Sequence, residues 1–265
     1  MYDFNYKRAS TVEDAVNGIG AAEEGKFIAG GMTLLPTLKQ RLAKPSDLID
    51  LADLENLITI SVDTDTVTVG AMTPHAVVSA SDEIRKAIPG LSKLAGLIGD
   101  PMVRNRGTIG GSISNNDPAA DYPSALVGLG ATVHTNTRQI PADDFFTGLF
   151  ETALKEDELV TKVIFPIPEK SAYMKFPNPA SRYAIVGAFV SKGPQGCRVA
   201  ITGAGSHVFR QSAMEAALEA NFAPEAVESI KQDDTELNSD IHASAEYRAH
   251  LVTIMAKRAV AEANG

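Results

Sequence analysis

The chain has 265 residues, 44% hydrophobic and 22% charged, with a formal net charge of −9; it reads as a soluble globular protein large enough for more than one lobe. That acidic balance leaves no basic excess to displace counterions from nucleic acid, and no stretch approaches the roughly 20 apolar residues of a membrane span. The segment Met1 to Arg8 lacks the apolar core of a signal peptide, so a cytoplasmic location is expected.

In chain order, Ser10-Thr11-Val12-Glu13 is a capping box, with Ser10 as N-cap, that predicts a helix through Ile19 to about Glu24. Lys26-Phe27-Ile28 predicts a strand, Leu34 to Ala43 an amphipathic helix, and Asp47 to Leu51 a second strand, together a βαβ-like lobe. Leu57 to Val62 and Thr66 to Val69, split by the polar turn around Asp63-Thr64-Asp65, predict a hairpin. Thr73-Pro74 opens a helix, and Ile84 to Ile98 predicts another that breaks near Pro89-Gly90. The stretch from Asn105 to Asp121 shows no regular period and is expected to be a binding loop. Strands follow at Ala131 to Thr135 and Leu159 to Phe165, then at Ala184 to Val190 and Arg198 to Thr202. Helices are expected near Ala213 to Ala220, Ala223 to Ile230 and Ala245 to Glu262.

Two glycine-bearing segments stand out: Ala29-Gly30-Gly31-Met32-Thr33, and Asn105 to Ser112 with its Thr108-Ile109-Gly110-Gly111 centre. The first follows a strand and opens a helix, a geometry that points free N–H groups at an anion. Glycine lets backbone approach phosphate oxygens without a Cβ in the way, and Thr33 can either cap the helix or donate its hydroxyl. The second segment adds Arg104 and Arg106. Together they predict two backbone cradles closing on one diphosphate. Gly128-Leu129-Gly130 and Gly203-Ala204-Gly205 lack the third glycine of a Rossmann fingerprint, and no P-loop pattern is present.

Other chemistry is sparse. The five histidines lie in unrelated segments with no ligand spacing, and no metal site is expected on this chain. The lone Cys197 sits in an alternating run, where a buried small hydrophobe is expected. It cannot hold an iron–sulfur cluster, which takes four cysteines as a rule. Asp117 and Asp121 have no nucleophile or metal set beside them and read as turn acceptors, with Asp121 also able to accept from a polyol hydroxyl.

Taken in order, Ala-Gly-Gly-Met-Thr-Leu-Leu-Pro at 29–36, Val-Arg-Asn-Arg-Gly-Thr-Ile-Gly-Gly-Ser at 103–112, Asn-Asp-Pro-Ala-Ala-Asp-Tyr-Pro at 116–123 and Ala-Glu-Tyr-Arg at 245–248 resemble a known family. It is the FAD-binding medium subunit of molybdenum hydroxylases, of the aerobic carbon monoxide dehydrogenase type. The resemblance runs over nearly the whole chain. It implies an α+β protein with a two-subdomain PCMH-type FAD-binding fold (1–55 and 56–170), followed by a small C-terminal α+β domain of antiparallel strands and helices (171–265).

The resemblance further places the pyrophosphate on the backbone of Ala29, Gly30, Gly31, Met32 and Thr33 and of Thr108, Ile109, Gly110, Gly111 and Ser112, with Leu34 adjoining. Asp121 matches a position near the ribityl chain and Lys175 a lysine near the cofactor. Val160 and Ile98 match apolar positions beside the flavin, and Tyr183 is a candidate aromatic on the flavin face or a core tyrosine. Met32 and Ser112 stand where polar side chains are frequent in the family. The implied activity is electron transfer, as an oxidoreductase subunit not complete alone. A large molybdopterin subunit and a small subunit with 2Fe-2S clusters would be its partners in a dimerised heterotrimer. Two other readings remain open: a non-catalytic scaffold of the same fold, and a stand-alone flavin oxidoreductase. No side chain is assigned as a catalytic acid or base.

Overall fold

The computed structural model describes Met1–Gly265. Strands β1 (Asn5–Arg8), β2 (Gly25–Ile28) and β3 (Asp47–Asp50) form a parallel sheet in the order β1-β3-β2, with α1 (Val12–Gly20) and α2 (Leu34–Lys39) as its crossovers. Adjacent residues on β3 serve opposite faces, as a strand's two-residue period requires. Ile49 packs with Ala15 and Ile19 of α1, and Leu48 with Leu38 of α2. The N-cap of α1 is Thr11 rather than Ser10. Thr11 Oγ1 accepts the Asp14 amide at 3.0 Å, and Asp14 Oδ2 accepts the Ser10 amide at 3.1 Å. Helix α1 ends at Gly20, short of Glu24. Helix α2 ends at Lys39, because Arg41 takes the left-handed region at φ 60°.

A short 3-10 turn, Glu55–Leu57, leads to β4 (Ile60–Val62) and β5 (Thr66–Gly70). Four helices follow: α3 (His75–Ala80), α4 (Asp82–Ala87), α5 (Pro89–Gly96) and α6 (Pro101–Arg106). The stretch expected to be irregular then folds as α7 (Ile109–Asn115) and, after a short turn, α8 (Tyr122–Leu129). No apolar period marked them, since α7 is built of glycine, serine and isoleucine with a terminal asparagine, and every residue of α8 is buried, so it has no polar face. The lobe continues with β6 (Thr132–Thr135), β7 (Gln139–Pro141), α9 (Ala142–Phe145), β8 (Phe146–Gly148), β9 (Glu151–Thr152) and β10 (Val160–Pro166). Its main sheet is antiparallel in the order β4-β5-β10-β6-β7.

The last part carries β11 (Lys170–Pro177), β12 (Ala184–Gly193), β13 (Gly196–Thr202) and β14 (Phe209–Arg210) as one antiparallel sheet. Helices α10 (Ser212–Ala220), α11 (Pro224–Val227) and α12 (Ala245–Asn264) complete it. Helix α11 is shorter than the expected run to Ile230. The sheet is covered on both sides. Tyr173, Phe189 and Ala200 join the core of the preceding lobe with Leu91 and Leu126, while Ala188, Val190 and Ile201 pack on Val252 and Met255 of α12. Cys197 is buried there, and burial pushes its thiol up to about 11, as a core cysteine requires. No helix is long and apolar enough to cross a membrane.

Candidate functional site

A cavity of about 810 Å³ opens where the β2–α2 loop of the first lobe meets α7 and β10 of the second and the Ser181–Tyr183 turn of the last. That volume lies in the range of sites that enclose a large organic cofactor.

The two glycine segments touch. A Cβ on Gly30 would lie 2.0 Å from the Arg106 carbonyl oxygen and 2.8 Å from Gly107 Cα, so only glycine permits the approach. Gly31 holds φ 73°, the left-handed turn that swings the chain from β2 into α2. The consequence is a row of donors: none of the N–H groups from Ala29 to Leu34 has a protein acceptor. Thr33 makes no side-chain cap, and its hydroxyl lies at the cavity beside that of Tyr183.

The second segment works differently from the expected cradle. Most of its amides are spent inside the protein, Ile109 N on Thr73 O (3.3 Å), Gly110 N on Ala71 O (2.8 Å) and Ser112 N on Thr108 O (3.0 Å), while Thr108 N has no protein acceptor. Thr108 Oγ1 caps α7 by accepting Gly111 N at 3.2 Å. What α7 offers the cavity is a glycine surface flanked by Ser112, Ser114 and Asn115, facing the first loop closely enough that a Cβ on Gly111 would sit 3.6 Å from Ala29 Cβ. Arg104 and Arg106 do not line the cavity; Arg104 Nη1 instead donates to the carbonyls of Ile98 (2.9 Å) and Gly99 (3.2 Å).

Asp121 lies on the cavity wall and is buried. Tyr173 Oη donates to one carboxylate oxygen, and Lys175 Nζ donates to the other at 3.0 Å and to Leu97 O at 2.9 Å. Burial raises the Asp121 carboxyl, against the opposing pull of Lys175 and Tyr173. Because β11 pairs with β12, its alternate residues Tyr173 and Lys175 point the same way and converge on the turn before α8. Asp117 behaves as a turn acceptor, taking the Ala119 amide at 2.8 Å.

Of the residues singled out from the sequence, Ala29, Gly30, Gly31, Met32, Thr33, Leu34, Ile98, Thr108, Gly110, Gly111, Ser112, Asp121, Val160 and Tyr183 all line the cavity. Ile109 does not, since its side chain is wholly buried in the core of the second lobe. Lys175 stands behind Asp121 rather than on the wall. Reasoning from sequence passed over His75, Phe150, Glu158 and Arg182, which also line it. His75 is buried with Nδ1 unpartnered, and burial, aided by the Arg104 charge, pushes it down to about 4. Glu158 is held down to about 2 chiefly by its two 2.9 Å bonds from Arg138. The Arg138 and Glu158 pairing had no local signal, but the buried histidine did: His75 sits two residues after Thr73 in a helix start and could have been read as inward-facing.

A run of unpartnered amides, glycines where a Cβ would collide, and a cavity of this size fit an extended ligand with a diphosphate, as a dinucleotide cofactor has. The fold and site thus define a dinucleotide-binding protein, and comparison with known proteins narrows the class. Residues 2–168 match the FAD binding domain in molybdopterin dehydrogenase, and residues 171–263 the CO dehydrogenase flavoprotein C-terminal domain. The nicotine 6-hydroxylase medium subunit of Paenarthrobacter nicotinovorans is 34% identical, covering 97% of this chain and 96% of its own. The carbon monoxide dehydrogenase medium chain of Afipia carboxidovorans is 32% identical, covering 98% and 96%. Among solved structures, carbon monoxide dehydrogenase from Hydrogenophaga pseudoflava superposes with a TM-score of 0.87 at 33% identity, covering 98% of this chain and 96% of that one. This chain belongs to the family of FAD-binding medium subunits of molybdenum hydroxylase complexes.

Proposed function

We propose that this chain seats FAD in the cavity between its three parts, 1–55, 56–170 and 171–265, and serves as the electron relay of a heterotrimeric complex. In this reading, 2Fe-2S clusters on a small partner deliver electrons that originate at a molybdenum cofactor on a large one, and an external acceptor removes them. Bound FAD supplies the exchange between one-electron and two-electron carriers. The amides of Ala29 to Thr33 hold the diphosphate, and the glycine face of α7 closes on it. Asp121, oriented by Tyr173 and Lys175, accepts from a ribityl hydroxyl. Val160, Ile98 and Tyr183 shield the ring system from water. The row of unpartnered amides is the single observation that most supports this reading.

Those donors belong to the backbone, so methionine at position 32 removes none of them, which weighs against a scaffold without flavin. Asp121 and Glu158 at the cavity are both engaged by neighbouring donors, Asp121 by Tyr173 and Lys175 and Glu158 by Arg138, which weighs against their serving as the acid or base of a self-sufficient oxidoreductase. The test is to strip and reconstitute the purified chain with FAD, then reduce it within the assembled complex. Wild-type protein should become yellow, and Met32→Glu, an exposed side chain at the cradle, should lose most of the flavin through charge repulsion. A wild-type chain that stays colourless under reconstitution overturns the proposal.

A further inference from the structure

The hairpin of β8 and β9 turns through Leu149-Phe150, and both residues stand 55% exposed. Phe150 holds φ 55°. A two-residue turn whose second position is left-handed calls for glycine or asparagine, so an aromatic residue there keeps a costly backbone shape. Nothing in the hairpin's own pairing needs the ring. Its surroundings do give it a place: Phe150 lines the cavity, on its rim, with Thr152 from the same hairpin.

The hairpin is also tied directly to the glycine helix. Asn116, the C-cap of α7, is fully buried at φ 43° and spends both hydrogens of its side-chain amide on the hairpin, donating to Gly148 O at 2.9 Å and Glu151 O at 2.7 Å. These two carbonyls flank Leu149-Phe150. The position of the turn is thereby set by the same helix whose glycine face lines the cofactor cavity.

We propose that the Leu149–Phe150 turn, hung from Asn116, is a flap that lays the Phe150 ring against a flat heteroaromatic ring of the bound dinucleotide. The inference rests on the cavity being the FAD seat. Strained backbone at a tip is retained where the side chain gains a contact the free protein lacks, and a stacked ring is such a contact. Phe150 acts as a binding residue, with Asn116 as its positioning residue.

The test compares the full-length apo chain with Phe150→Gly and Phe150→Tyr in titrations with FAD, FMN and ADP, followed by flavin fluorescence and by calorimetry for ADP. Phe150→Gly relieves the backbone, so its thermal midpoint should equal or exceed wild type while FAD binds about tenfold more weakly, the size of one stacking contact. Phe150→Tyr should restore wild-type affinity. Loss shared by FAD and ADP with FMN unchanged assigns the contact to the adenine; loss shared by FAD and FMN with ADP unchanged assigns it to the isoalloxazine. Unaltered FAD affinity in Phe150→Gly overturns the proposal, and if partner assembly alone fails in that variant the turn is a subunit contact instead. A wild-type chain that binds none of the three ligands defeats the underlying FAD reading, a result distinct from either.

Discussion

Replacing Gly30 with alanine tests the contact between the two glycine segments. The added methyl would meet Arg106 O at 2.0 Å, Arg106 C at 2.6 Å and Gly107 Cα at 2.8 Å. All three are backbone atoms, so no rotamer change relieves the overlap, and the loop must retreat from α6 and α7. Overpacking of this kind costs about 1–3 kcal/mol. If that strain is expressed at the site, FAD binding weakens by about 5- to 150-fold. If it is expressed globally, the midpoint falls by about 2–4 °C for each kcal/mol. Gly20→Ala is the control: nothing lies within 4 Å of its would-be Cβ, and at the end of α1 it should stabilise slightly. Flavin titration and calorimetric melting of the three proteins read both effects. Gly30→Ala with affinity within about twofold of wild type and an unshifted midpoint would show that the segments do not touch as described.

Lys175→Met strips the buried Asp121 of its cation, side chains only 3% and 4% exposed, and should cost about 3–5 kcal/mol in urea unfolding; adding Asp121→Asn should recover much of that loss, and no recovery would argue against the pairing. Acid should act in two steps. His75 takes a proton near 6.5 when unfolded and near 4 when folded, so stability is full above 6.5 and falls as pH drops through that window. Glu158, moved from 4.5 to about 2, adds a second fall below 4.5. The His75 step is worth about 3 kcal/mol and the Glu158 step less, because its partner Arg138 is 41% exposed and screened by solvent; His75→Gln and Glu158→Gln should flatten the upper and lower step respectively in pH-dependent unfolding. Arg248→Met should destabilise the C-terminal part by about 3 kcal/mol, because it orphans the buried carbonyls of Ile185 and Gly203, now reached at 2.7 and 2.8 Å. Retention of the wild-type urea midpoint would be the contrary result.

Elements with a strong local period were legible from residues alone. Val67 and Val69 alternate inward on β5, and the run Ala184 to Val190 is buried throughout β12, so both strands were found. Strand β1 was missed because Asn5 to Arg8 expose every side chain on an edge position and leave no apolar pattern. Strand β11 was missed for another reason: Lys170 to Pro177 mixes Lys175 with Tyr173 and Phe176, and only burial of the lysine against Asp121 reconciles that mixture with a core-facing strand.

The sequence by itself determined the glycine turn of Ala29 to Thr33, the free amides that such a turn carries into a helix start, and the family to which the ordered motifs belong. These follow from backbone sterics and hydrogen-bond rules acting over a few residues. Only the tertiary structure decided that the second glycine segment is a helix whose amides serve Ala71 and Thr73, that Lys175 pairs with Asp121, and that Phe150 reaches the rim. Those outcomes depend on which distant atoms arrive beside each group, because a donor or a charge takes its partner from the packing of the whole chain and not from its neighbours in sequence.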